Sequence, residues 1–261
     1  MLKLHMKKIL LCVLLCIHTL LIFPTDLSQT QKIDQFYQSA EFISFIDAVY
    51  NAQPAAEINK RFTHLVEYLD AESQEQQAAN LVKAHAAMLL GKHFTVEEYC
   101  KDKKTALHYL QLSEKLMGTV TFTNSYLSAL AISVKAETAG SYFLLDPTAY
   151  IFSYGLDASK LISEALSIDP ENTQALLLLT NSHIHTPGIF GGSARKAAKV
   201  LDDLMEKKPS LYKFQYFTLY ELRGLIAGKT KKTNDAINWY HKALTLYPEN
   251  KYIKKLIEEL K

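Results

Sequence analysis

Three prolines constrain this chain more than any other feature. Pro170, Pro209 and Pro248 are separated by 39 residues and again by 39. Each closes the same pattern: Ala158, Ile162, Ala165 and Pro170, then Ala197, Leu201, Leu204 and Pro209, then Ala236, Tyr240, Ala243 and Pro248. Self-similarity at such a period marks stacked structural units, each unable to bury its apolar face alone. The steps of four and three place the apolar residues on one face of a helix. The proline then ends that helix and opens the next turn. A small residue at the first position lets a neighbouring helix approach closely, and a larger one a turn later fills the space beyond it. A weaker copy stands upstream in "KKTALHYLQLSEKLMG", with Ala106, Leu110, Ser113 and Gly118 at the four positions. From Ala106 to Ala158 is 52 residues, 13 more than one unit, and the surplus fits the interruption "LLDPTAYIFSYG".

The rest of the chain reads as helix. Eleven segments carry helical periodicity: Asp34–Tyr50, Ala55–Leu69, Gln76–Leu90 (ending at Gly91), Tyr99–Met117, Asn124–Leu145, Gly155–Ile168, Thr173–Ile184, Ala194–Lys207, Leu211–Ala227, Asn234–Leu246 and Lys251–Leu260. The last, "YIKKLIEELK", has a polar face suited to capping the end of an array. No segment alternates convincingly as a strand. With 9 Gly, 7 Pro and almost no hairpin dipeptides, a sandwich or barrel is excluded, and 48% hydrophobic residues exclude a disordered chain. The expected fold is all-α, an antiparallel helix-pair solenoid or bundle.

The first 28 residues read as an address. Lys7 and Lys8 precede an apolar run from Ile9 to Phe23, broken only by His18 and Thr19 and ended by Pro24, Thr25 and Asp26. That is the layout of a secretory signal or, because no small-x-small cleavage site follows, of a retained N-terminal anchor. The run is shorter than the roughly 18 residues of a comfortable membrane span. Cys12 and Cys16 lie inside it, without the small residues before them that lipidation would favour. Residues 29–261 are then one helical domain, clearest over 150–250. Lys3, Lys7, Lys8 and Asp26 are the only charged residues of 1–28, so the 29 basic and 27 acidic side chains of the whole chain become 26 and 26. A neutral domain gives no electrostatic case for nucleic acid, and membrane contact is expected only through the N-terminal segment. Its one cysteine, Cys100, cannot form an internal disulfide.

The third copy, "NDAINWYHKALTLYPEN", resembles the second helix of a tetratricopeptide repeat (TPR), and Gly224 sits where the first helix of that family has its small residue. The TPR unit is about 34 residues, so the 39-residue spacing implies about five more per unit, in loops. The resemblance covers roughly residues 80–250. Its signature here is Ala158, Ala165, Pro170, Ala197, Pro209, Gly224, Ala236, Tyr240, Ala243 and Pro248; Leu204 departs from it. The resemblance implies a non-enzymatic scaffold whose concave groove binds a protein or peptide. The helical inserts and "PGIFGG" are also similar to the TPR component associated with TRAP transporters (tripartite ATP-independent periplasmic transporters). That resemblance implies an exported, small-ligand-binding accessory of solute uptake, partnered by an extracytoplasmic solute-binding protein.

Motifs that carry chemistry are scarce. "GLIAGKT", Gly224 to Thr230, has three residues between its glycines where a phosphate loop needs four, and it ends a helix. Gly228 reads instead as a helix stop before the basic turn Lys229, Lys231 and Lys232. His183 and His185, two apart on a helix, point to different faces and would not chelate one metal. His85, His93 and Cys100 lack ligand or nucleophile spacing, so neither metal nor cofactor is expected. An enzyme would require shifted carboxylates or histidines converging on one cleft, which spacing alone does not reveal. Two segments depart from plain helix and turn. In "HTPGIFGGS", Pro187, Gly188, Gly191 and Gly192 allow two sharp turns around Phe190, expected either as a core plug or as part of a binding surface. In "DPTAYIFSYG", Tyr150, Phe152 and Tyr154 alternate, as core filler or as a lid. Tyr150, Phe152, Tyr154, Asn181, His185 and Phe190 are thus the residues expected to meet a ligand or partner.

Overall fold

The computed structural model describes residues 24–71, 75–96, 98, 99, 101–150, 154, 156–207 and 211–261, with the side chains of residues 24–28, 149, 150 and 156 excepted. Among these residues there is helix and no strand: α1 (Pro24–Tyr37), α2 (Ala40–Tyr50), α3 (Ala55–Ala71), α4 (Gln76–His93), α5 (Lys103–Met117), α6 (Ser125–Leu145), the short α7 (Pro147–Tyr150), α8 (Leu156–Ile168), α9 (Thr173–His185), α10 (Ala194–Lys207), α11 (Lys213–Lys229), α12 (Thr233–Leu246) and α13 (Lys251–Glu258). The fold is all-α. Helices pack as sequential pairs, most extensively α4 with α5, α6 with α8, α9 with α10, and α11 with α12. Among the described residues no helix is long and apolar enough to cross a membrane. Residues 1–23 of the expected export segment 1–28 lie outside them, and its expected boundary at residue 28 falls within α1.

Short polar residues set where the helices start. Asn124, Asn172 and Asn250 precede α6, α9 and α13, and each side-chain oxygen accepts from a backbone N–H three residues on. Such a cap contributes about 1 kcal/mol. Asn172 and Asn250 each follow a repeat proline by two, so "PEN" both ends one helix and begins the next. Pro209 lies outside the described residues. A cap also divides the segment expected as one helix over 34–50. Ser39 accepts from Phe42 N at 3.2 Å, and α1 and α2 separate there.

The repeat positions are the contact line between helices. Ala106, Ala165, Ala197, Ala236 and Ala243 are fully buried, with Leu110, Leu201 and Tyr240 beside them, while Ala158 keeps partial exposure. Gly224 explains why the residue must be small. A Cβ there would stand 2.2 Å from Tyr240 Cε1. Gly91 repeats the relation, with a Cβ falling 2.8 Å from Leu110. Gly91 therefore does not stop its helix, as its position after Leu90 suggested. α4 continues to His93, and the glycine serves a close approach. Gly228 likewise lies within α11, and the left-handed residue after that helix is Lys231, at φ 59°.

The array closes on itself. Tyr212 at the start of α11 donates to Asp34 of α1. Lys213 pairs with Asp47 of α2 at 2.8 Å, and Glu249 N donates to Asn51 Oδ1 at 3.1 Å. Asn250 Nδ2 donates to Tyr50 O at 2.7 Å, and Tyr50 stacks on Tyr247 at 4.9 Å. α13 buries Ile253 and Ile257, and its Lys255 pairs with Glu98. Closure makes the middle helices interior on every side. On α4, Leu81, Lys83, Ala84, His85, Met88 and Leu89 are all buried.

Candidate functional site

The residues expected to meet a ligand do not gather in one place. Tyr154 stacks on Tyr142 at 4.4 Å and packs against the main core, on the filler side of its two expected roles. Tyr150 ends α7 without a described side chain, and Phe152 lies outside the described residues. Asn181 and His185 are exposed on α9. Phe190 is 75% exposed, so it plugs no core. Pro187, Gly188, Gly191 and Gly192 form the turn that carries it, with Gly188–Phe190 as one turn of 3₁₀ helix.

A cleft of about 500 Å³ opens elsewhere. Asp34 and Gln38 of α1 form one side, Tyr126 and Leu130 of α6 another. The first turn of α9 brings Asn172, Thr173 and Gln174, and Leu211, Tyr212 and Gln215 complete the wall. The N-terminal turns of three helices meet here because α6, α9 and α11 are the alternate members of successive antiparallel pairs. Two of the lining groups are already committed: Asn172 Oδ1 caps α9, and Gln215 Oε1 accepts from Tyr212 N at 3.1 Å. The Asn172 amide nitrogen is buried and has no hydrogen-bond partner among the described residues. Burial and the Asp34 hydrogen bond raise the Tyr212 phenol well above its ordinary pKa, so it stays a protonated donor.

Gln174 joins this cleft to a charged cluster in the interior. Its Nε2 donates to Glu137 Oε2 at 2.6 Å, and Lys92 Nζ of α4 donates to Glu137 Oε1 at 2.8 Å. Glu137 is 8% exposed. Burial alone would raise its pKa, but Lys92, His85 and the two hydrogen bonds hold the carboxyl below the usual range. Lys92 stands on the most enclosed helix, with its side chain 43% exposed. Burial would lower its pKa, while Glu137 and the Tyr50 phenol keep it above the ordinary lysine value. Glu221 of α11 faces the same cluster. Burial pushes its carboxyl up to about 7, against the opposing pull of Lys92. His85 shares a hydrogen bond with Tyr37 Oη at 2.9 Å, and burial holds its imidazole down at about 4, hence neutral. Its Nε2 has no partner among the described residues.

This cluster was not visible from spacing, since Lys92, Glu137, Gln174 and Glu221 come from four helices. One signal did exist. Apart from the exposed Lys135, α6 is apolar, aromatic or small around its circumference, and an acid in such a helix must face something specific. No group of three or more metal-ligating side chains occurs among the described residues. Compared with protein-family models, curated proteins and solved structures, the chain gives no match.

Proposed function

We propose that this is a non-enzymatic binding protein of the TPR type, which takes a small polar ligand in the cleft between α1, α6, α9 and α11. The observation that carries the proposal is the polar wall of the cleft, whose Gln174 is held from behind by Glu137 and, through it, Lys92. The volume falls within the range of small-molecule sites and is small for a helix. Binding is favoured over catalysis because both Glu137 oxygens are occupied by Lys92 and Gln174, leaving the pair set to hold Gln174 in place at the cleft wall. In this reading the protein is exported, as its first 28 residues suggest, and serves as a TRAP-type accessory that exchanges solute with an extracytoplasmic solute-binding protein. A scaffold that holds a protein segment is the competing reading, supported by the amide side chains Gln38, Asn172, Gln174 and Gln215, which suit a peptide backbone. Thermal-shift measurement against amino acids, organic acids, sugars and nucleosides tests the choice. A ligand at 100 times its Kd stabilises by about 2.7 kcal/mol. That raises Tm by roughly 5–10 °C in a chain this size. The rise should vanish in Gln174→Ala. A flat response to every compound, with saturable binding on a peptide array, would transfer the site to the scaffold reading.

A further inference from the structure

The turn between α9 and α10 carries the two most exposed large apolar side chains among the described residues, Ile189 at 88% and Phe190 at 75%. The turn is built to hold them. Phe190 N and Gly192 N donate to Pro187 O at 2.9 and 3.2 Å, and Ser193 N donates to His183 O at 2.8 Å. Gly191 takes φ +92°, and a Cβ on Gly192 would fall 1.7 Å from Thr186 O. Backbone contacts therefore fix a knuckle whose only large side chains point into water. Single exposed apolar residues are ordinary, but an adjacent pair on a rigid convex tip is the shape of an insertion element.

Two basic stretches meet near the tip. Arg195, Lys196 and Lys199 stand on the first turns of α10, Lys229 ends α11, and Lys231 and Lys232 follow it; all six are exposed. No Asp or Glu occurs between His183 and Val200 or between Ile226 and Asn234. α11 packs against both α9 and α10, which brings the two basic stretches to the same end of the array. Partial burial, then the charge of Lys196 on His183 and of Lys229 on His185, holds both imidazoles below the ordinary histidine range. The tip's charge at neutrality thus comes from the six cations.

We infer that this knuckle is a docking surface for an anionic lipid bilayer, with Ile189 and Phe190 entering the boundary between headgroups and acyl chains. A protein partner would need a preformed pocket to accept a convex apolar pair, whereas a fluid bilayer accepts one anywhere. A rim of six exposed cations is what a surface of anionic headgroups selects. This contact is separate from any made by the N-terminal apolar segment, and it is independent of what the cleft binds.

The test reads position 190 itself, because the run Ile9–Phe23 alone would hold the full chain on vesicles. Trp239 is the chain's one tryptophan, so the full chain carrying Trp239→Phe and Phe190→Trp reports only from the tip. With phosphatidylcholine vesicles containing phosphatidylglycerol, its emission should shift to the blue and be quenched by lipids brominated on the acyl chains. With phosphatidylcholine alone it should do neither. Adding Lys196→Glu, Lys199→Glu and Lys229→Glu should weaken tip insertion by about tenfold or more, and salt should act in the same direction. Unquenched emission on anionic vesicles to which the chain is bound would overturn the inference and leave the tip to a protein partner. Insertion equal on neutral and anionic vesicles would overturn it as well.

Discussion

Gly224→Ala tests the close approach that the repeat encodes. In a helix interior the change alone is favourable, by about 1 kcal/mol of propensity. The structure reverses the sign. The new methyl carbon would lie 2.2 Å from Tyr240 Cε1, 2.5 Å from Cδ1 and 2.8 Å from Cζ, against the 3.4 Å at which ordinary contact begins. Tyr240 is 2% exposed and its ring is enclosed by the main core, so it cannot swing aside without displacing neighbours. Overpacking of this kind costs about 1–3 kcal/mol. An overlap above 1 Å on a fixed ring belongs at the upper end, leaving a net loss of about 2 kcal/mol. For a chain of this length that lowers Tm by roughly 4–8 °C. Thermal unfolding followed by circular dichroism measures it, and the urea midpoint should fall at unchanged slope. The control is Tyr240→Leu, which costs stability on its own but removes the ring. In that background Gly224→Ala should be neutral or stabilising by up to about 1 kcal/mol. A Gly224→Ala chain that melts higher than the parent, or the same loss with and without the tyrosine ring, would refute the argument.

Glu137→Gln keeps the shape and removes the charge facing Lys92. Hydrogen bonds to charged groups contribute about 1.5–3 kcal/mol, and Lys92 retains 43% exposure with which to rehydrate, so the loss should be about 1–2 kcal/mol by urea midpoint at pH 7. His85 is held at about 4 against 6.5 by burial. The unfolded chain therefore binds this proton more tightly, and stability should fall from pH 6.5 to 4, by up to about 3 kcal/mol from this group. His85→Gln should flatten that slope; equal slopes would refute the assignment. Glu221 has the opposite sign. With its folded pKa raised to about 7, its stabilising preference for the proton is complete below the unfolded carboxylate range and lost as pH rises through 7. Glu221→Gln should accordingly raise Tm relative to the parent at pH 8 and leave it unchanged at pH 4.

The helices and their contact line were legible because burial repeats with the helical period. Ala197, Leu201 and Leu204 are all buried, as are Ala236, Tyr240 and Ala243, at the spacing the prolines announced. Gly224 was legible for the same reason. Gly91 was misread because a glycine after an apolar run looks the same whether it ends a helix or admits a neighbour. The division at Ser39 was hidden because apolar periodicity continues through it, and only the side-chain cap marks the break. The cleft was illegible because closure creates it. Asp34 and Tyr212 are 178 residues apart in sequence, and no local pattern says that the last helices return to the first. Phe190 was legible only as a choice between core plug and binding surface, and the tight backbone of Gly191 and Gly192, which turns it outward, removes the plug.

Closure also decides how the interior charges should be understood. In an open array the polar residues of α4 and α6 would face a groove and cost little. In the closed one they sit where apolar side chains would pack more favourably, since replacing a buried ion pair with hydrophobic residues of similar volume is often neutral or stabilising. A pair kept there for stability and a pair kept there for a ligand therefore answer differently to the same change. In Lys92→Met with Glu137→Leu, both charges go together and neither is left alone. Tm should hold or rise, while the ligand-dependent thermal shift disappears. Truncating Lys92 alone, as Lys92→Met, should instead destabilise, because the Glu137 carboxylate remains buried with only Gln174 as donor. If the double change destabilises as much as the single one, the pair is part of the core, and the polar path from the cleft ends at Gln174.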